Sequence, residues 1–319
     1  MTTHHDELRP EEFAQAATEA IADALARDAG EAPRVLAEAG LFGVCAAEDD
    51  GGLGLPLEFA LPVVNAAGRL QLRLPLPEQI LLASALRGTP QAEALAAGEK
   101  LATIAWQGSV QQGTAAHARH VAQCDWVLVD DGGGAVLLEV SSLSVQKDGA
   151  LDPDAPQSWL DLRGATVVAR IDAPARAALV HASALLMAEL ANGAAEAALE
   201  LTAGYMATRV QFGRPLSAKQ AVRHLLARMK LLQEASSAAV RRALRSNEFG
   251  EARGARPALA GAIANSAFIL EKAIHLHGGM GFTWEVPLHY SLREIRKLDA
   301  AFGAGALPRG IGQDFIRSV

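Results

Sequence analysis

The sequence predicts an α+β protein that is mainly helical. It has an N-terminal helical domain over residues 1–98, a small β domain over 99–172 and a C-terminal four-helix bundle over 173–319. Three observations predict this. Alanine and leucine dominate while aromatic residues make up only 5%, which suits closely packed helices. Short β-branched runs are confined to the middle of the chain, and beyond residue 174 apolar residues recur at helix spacing over long stretches. A chain of 319 residues is long enough to bury a large core in two or three domains.

The first helix carries Phe13, Ala17, Ala20, Ile21, Ala24 and Leu25 on one expected inner face. A second, short helix stops at Ala39-Gly40, a C-terminal cap pair, and a glycine-rich loop leads to a further helix over Leu57 to Arg69. From residue 100 the runs LATIAW, WVLVDD, AVLLEV and TVVARI read as strands, with a hairpin turn over Asp130 to Ala135. Along Ala184 to Tyr205, the polar residues Glu189, Asn192, Glu196 and Glu200 form one narrow wet stripe on an apolar helix, so most of that helix must be buried. Ser217 and Gln220 have capping-box spacing at the next helix, whose inner face is Val222, Leu225, Leu226, Met229 and Leu232. A third bundle helix runs from Pro257 to His277 and stops at Gly278-Gly279, and a fourth covers Val286 to Ala301.

The net charge of −7 gives no electrostatic case for nucleic acid. The polar start MTTHHDELRPEE, which holds His4 and His5, lacks the apolar run of a signal peptide. The apolar stretch Ala177 to Ala195 is interrupted by His181, Glu189 and Asn192, which argues against a membrane span. Cys45 and Cys124 suggest no disulfide framework. Together these lead us to expect a cytoplasmic location.

Three segments then stand out: LAEAGLFGVCAAEDDGGLGLP (Leu36 to Pro56), TRVQFGRPLSAKQAVRHLLARM (Thr208 to Met229) and HLHGGMGFTWEVPLHYSLREIRK (His275 to Lys297). In this order they resemble the acyl-CoA dehydrogenase family, whose helical, β, helical-bundle order also matches. The resemblance implies FAD as cofactor and an acyl-CoA thioester as substrate. It implies that Arg209, Gln211 and Phe212 reach a flavin dinucleotide bound mainly by a neighbouring subunit. Arginine is a planar, permanently charged donor suited to phosphate. Gly278 and Gly279 would contact the adenosine end of the same cofactor, with His275 standing where relatives often carry glutamine. On the residues alone, Arg209 could instead complement a helix C-terminus with Phe212 in the core, and the glycines could simply stop a helix.

The family removes the α proton of the thioester with a carboxylate as hydride leaves the β carbon. Here the family positions for that base fall on Phe302 and Ser183, neither of which is a carboxylate. Asp299 is a weak substitute, and Glu189 a weaker one. Relatives also line the flavin ring with two loops of a longer β domain. Ala105-Trp106-Gln107-Gly108 stands near the first, and no counterpart of the second is visible, so the β domain reads as reduced. The resemblance is therefore to the base-lacking subunit of bacterial heterotetramers of the steroid-catabolic type. The implied partner is a homologous, base-bearing subunit that shares its FAD, in a hetero-oligomer or homo-oligomer. A flavin monooxygenase of the same fold and a cofactor-free structural subunit are the alternatives.

Among other constellations, His117, His120 and Cys124 have metal-compatible spacing but lack a fourth ligand, and read as a surface cluster. Arg241, Arg242 and Arg245 read as a solvated basic face, and Gln220 and His224 as packing and interface residues.

Overall fold

The computed structural model describes residues 9–245 and 254–318; His4 and His5 lie outside the described residues. Five helices form the N-terminal part: α1 Glu12–Leu25, α2 Ala32–Glu38, α3 Ala60–Arg69, α4 Leu76–Ala85 and α5 Pro90–Ala96. Helix α1 buries Ala17, Ile21 and Ala24, and Phe13 meets Phe59 edge-on with ring centroids 5.4 Å apart. Leu25, expected inside, is exposed. It lies about 100° round the helix from Ala24 and falls off the edge of a narrow stripe.

The middle of the chain is two stacked sheets. One has the order β1-β4-β5-β8, with β1 Ala102–Ile104, β4 Trp126–Asp130, β5 Ala135–Glu139 and β8 Val167–Ile171. These are the four strands expected from sequence, and β4 pairs antiparallel with β5 through the Asp130–Ala135 turn. The other sheet has the order β2-β3-β7-β6, with β2 Gln107–Ser109, β3 Thr114–Ala118, β6 Ser144–Asp148 and β7 Gln157–Asp161. The first sheet is covered on both faces except along its edge strand β8. Ile104, Leu128, Leu137 and Ile171 join the helical core, while Val127, Val129, Val136 and Leu138 pack on the second sheet.

Helix α6, Ala173–Thr208, is the axis of the C-terminal part. Asp172 caps it by accepting from the Ala175 amide at 2.9 Å. By length and composition α6 could cross a membrane, but 67% of its most apolar window is buried inside the protein, as in a core helix. It packs on α3 through reciprocal glycines. A Cβ on Gly193 would collide with the Asn65 carbonyl oxygen, and one on Gly68 with that of Leu190. Gly193→Ala is therefore expected to cost about 1–3 kcal/mol by forcing the two backbones apart, readable as a lowered urea midpoint. An unchanged midpoint would remove this account of the contact.

The stripe on α6 is not wet along its length. Asn65 donates to Glu189 at 2.7 Å, Asn192 donates to Glu189 at 3.1 Å, and Arg69 pairs with Glu196 and Glu200. The polar residues face α3, because apolar α6 needs a polar seam where Asn65 and Arg69 approach. Burial raises the Glu189 pKa, opposed by these two amide donors.

Helices α7 Gln220–Ala243, α8 Arg256–Leu276 and α9 Leu288–Ala301 follow. Met229 is buried on α7, and Leu225, Leu226 and Leu232 are half-buried. The expected Ser217 cap is absent. Ser217 lies in a 3-10 turn, Leu216–Ala218, which delays the helix until Gln220, and no side chain caps it. A further helix, α10 Ala306–Ser318, extends the part beyond the four helices expected. None of its residues is fully buried, and its inner face is limited to half-buried Leu307 and Ile311.

Candidate functional site

Two of the segments singled out in the sequence meet at one end of the bundle. After α6 the chain forms a hairpin of β9 Val210–Gln211 and β10 Arg214–Pro215. Its two-residue turn is Phe212-Gly213, with φ of 55° and 74°. Positive φ at both positions is the turn that matches strand twist, but a phenylalanine is rarely placed there. Phe212 is 89% exposed, which excludes it from the core. Arg209 and Gln211 are also exposed. The Gly278-Gly279 turn lies alongside: Tyr205 of α6 stacks on His277, ring centroids 4.6 Å apart at 8°. His277 is held by its own bond from Nδ1 to the Ala273 carbonyl at 2.8 Å. Gly278 has φ of 62°, and a Cβ on either glycine would meet open space. His275 is exposed on the last turn of α8. The cluster presents a guanidinium, an amide, an aromatic face and bare backbone outward.

The two positions for a base are closed. Phe302 stacks on Trp106 with centroids 5.3 Å apart at 26°. Gln107 next to it donates to the Ala300 and Ala301 carbonyls at 3.0 and 3.3 Å. The loop Ala105–Gly108 is thereby fastened to the end of α9. Ser183 is fully buried, and its hydroxyl donates back to the Val180 carbonyl at 2.8 Å. Asp299 accepts from the Gly305 amide at 3.2 Å, which holds the turn after α9. It stabilises that turn, a structural task unlike a free base.

Beside this stack runs a buried ionic seam that sequence reading missed. Arg119, 6% exposed, lies 2.8 Å from Glu294 and 3.7 Å from Glu78. Lys297 reaches Glu294 at 2.7 Å and Asp152 at 3.0 Å. Gln157 donates to the Lys297 carbonyl at 2.8 Å. Burial works to raise the Glu294 pKa, but the Arg119 and Lys297 charges outweigh it and hold it down at about 2. Burial raises the Glu78 carboxyl, with Arg119 opposing. A signal was present: Glu78 is the one carboxylate in LPEQILLASA, and Lys297 sits between inward-facing Ile295 and Leu298.

The family model for the acyl-CoA dehydrogenase C-terminal domain matches residues 175–316. Acyl-CoA dehydrogenase FadE34 of Mycobacterium tuberculosis is 30% identical over 84% of this chain. The chain belongs to the acyl-CoA dehydrogenase family. It spans 39% of the length of FadE34. Among solved structures, the Tcur3481-Tcur3483 steroid ACAD superposes with a TM-score of 0.86 at 24% identity, covering 97% of this chain and 98% of that one. The ChsE4-ChsE5 complex of Mycobacterium tuberculosis gives 0.83 at 22%, covering 98% and 99%. At these identities the superpositions establish the fold.

The acyl-CoA dehydrogenase family is FAD-dependent. In this member the hairpin and the glycine turn are exposed and open. The cleft between the β region and α9 suits a flavin ring poorly. The Trp106–Phe302 stack closes it at the end of α9, and the cavity beside Trp106 is only about 30 Å³; a separate cavity of about 290 Å³ lies against Arg119 and Lys297 of the ionic seam. An apolar cleft of about 470 Å³ lies between Leu55–Leu57, α4 and the start of α6, ending at Ala182 beside Ser183. His117 and His120 both have positive φ and flank Arg119, while Cys124 donates to the His120 carbonyl. Among the described residues no cluster has a metal-ligand arrangement. Arg241 and Arg245, expected on a solvated face, line a cleft of about 770 Å³ with Glu189 and Glu196. Gln220 and His224, expected as packing and interface residues, are exposed.

Proposed function

We propose that this chain is a subunit of an FAD-dependent acyl-CoA dehydrogenase, cytoplasmic, that completes the FAD site of a homologous base-bearing partner. The enzyme would introduce an α,β double bond into an acyl-CoA thioester of lipid or steroid side-chain catabolism. One contrast carries the reading. The hairpin and glycine turn point outward, whereas one base position holds a phenyl ring that cannot take a proton and the other a serine that, without a paired base, does so poorly. FAD would supply the hydride acceptor. Arg209 would neutralise its phosphate charge, Gln211 and Phe212 would fix its orientation, and Gly278 and Gly279 would admit its adenosine end. The likeness to the steroid ACAD and to the ChsE4-ChsE5 complex supports both the substrate class and a partner subunit.

The test is to assay the full chain alone and co-purified with its native partner, counting flavin per protomer. Acyl-CoA oxidation is expected only in the complex, with fewer than one FAD per protomer. Robust oxidation by the chain alone would overturn the proposal.

A further inference from the structure

The cavity of about 290 Å³ beside the ionic seam has a chemistry unlike that of the outward cluster. Its wall carries four cationic side chains from separate elements: Arg73 between α3 and α4, Arg119 after β3, Lys147 on β6 and Lys297 on α9. Among the described residues Asp154 is the only acid lining it, and it sits at the exposed rim. Arg119 and Lys297 are partly answered by Glu294, Glu78 and Asp152. Arg73 and Lys147 have no carboxylate partner among the described residues. Arg73 rests only on the Tyr290 ring, at 4.6 Å.

Two further observations point to a ligand. The Nε–H of nine-tenths-buried Arg119 has no hydrogen-bond partner. Such a donor is costly to leave unpaired. His120 holds a left-handed φ of 58°, and its Nε2 lies 3.2 Å from an Arg119 amino group. Arg119 can only donate, so Nε2 accepts and Nδ1 carries the ring hydrogen. Burial and the Arg119, Lys297 and Arg73 charges lower the His120 pKa to about 3, a sign of local positive potential.

We propose that this cavity binds a phosphate group, held by Arg73, Lys147, Arg119 and the His120 Nδ1–H. Cations converging from several elements suit a doubly charged tetrahedral anion better than a planar monocarboxylate. The volume lies at the bottom of the range of about 300–1,000 Å³ for small-molecule sites, so the ligand is a free phosphate or a small phosphomonoester. The site is independent of the proposed FAD contacts.

Calorimetric titration of the full chain at constant ionic strength tests this, with inorganic phosphate, glycerol phosphate and acetate as probes. Saturable binding of one or both phosphates but not of acetate is expected, and the tighter phosphate identifies the source. The double variant Arg73→Gln/Lys147→Gln removes no ion pair among the described residues, and should bind about a hundredfold more weakly. Lys147→Gln alone, on an exposed edge strand, should show a smaller loss in the same direction. No phosphate binding, equal binding of acetate, or unchanged affinity in the double variant would overturn the proposal.

Discussion

Arg119→Met is expected to destabilise the protein by about 3–5 kcal/mol, the cost of leaving partners of a buried ion pair uncompensated. Glu78 would then lie 1% exposed with no counter-charge, and Glu294 would keep only Lys297. Urea denaturation at neutral pH reads the loss. The triple variant Glu78→Leu/Arg119→Met/Glu294→Met should recover most of it, because apolar groups of similar volume remove the unpaired charges as well. A single variant as stable as the parent would show that the seam contributes nothing.

The same seam gives stability a pH dependence of known sign. The Glu294 pKa is about 2 when folded, against an ordinary 4.5. Its contribution is complete above pH 4.5 and is lost as pH falls toward 2. His120 acts in the same sense: folded near 3 against an ordinary 6.5, its contribution fades as pH falls from 6.5 through 3. Glu78 has a raised folded pKa, so it favours the fold below 4.5 and ceases to as pH rises through that folded value. Removing Arg119 removes a charge that lowers both the Glu294 and the His120 pKa, so the acid-side slope of the variant should be shallower.

Arg209→Ala is expected to lower the FAD content of the purified complex sharply while leaving the chain folded. A charge-assisted hydrogen bond contributes about 1.5–3 kcal/mol, so losing one weakens binding roughly ten- to a hundredfold. Arg209 is exposed and makes no ion pair within the described residues, so its removal should change stability by less than about 0.5 kcal/mol. Absorbance at the flavin band, per protomer, checks the first expectation, and thermal unfolding checks the second. Full flavin content in the variant would favour a cofactor-free structural role.

Three of the four strands legible in the sequence, β1, β4 and β5, are nearly buried throughout, and the exposed edge strand β8 shows through its β-branched residues. Burial on two sides demands continuous apolar runs such as WVLVD and AVLLE, which announce themselves. The other sheet was missed because QGS, TAAHA, SVQKD and QSWLD hold polar or small residues and no continuous apolar run. Helix α10 escaped for a different reason: its apolar stripe of Leu307, Ile311 and Phe315 is interrupted by Pro308, Gly310 and Gly312, poor helix formers.

At the site, the residue types at 183, 209, 211, 212, 278, 279 and 302 were open to inspection from the start, because resemblance attaches to short contiguous motifs. The sequence by itself determined that neither base position holds a carboxylate. Only the tertiary structure decided what fills those places: Phe302 against Trp106, and Ser183 turned back on its own helix. It alone assembled Glu78, Arg119, Asp152, Glu294 and Lys297 into one buried seam. Charges from α4, the turn after β3, the loop before β7 and α9 have no local spacing in common. Their energy depends on distance and burial, which exist only once the chain has folded.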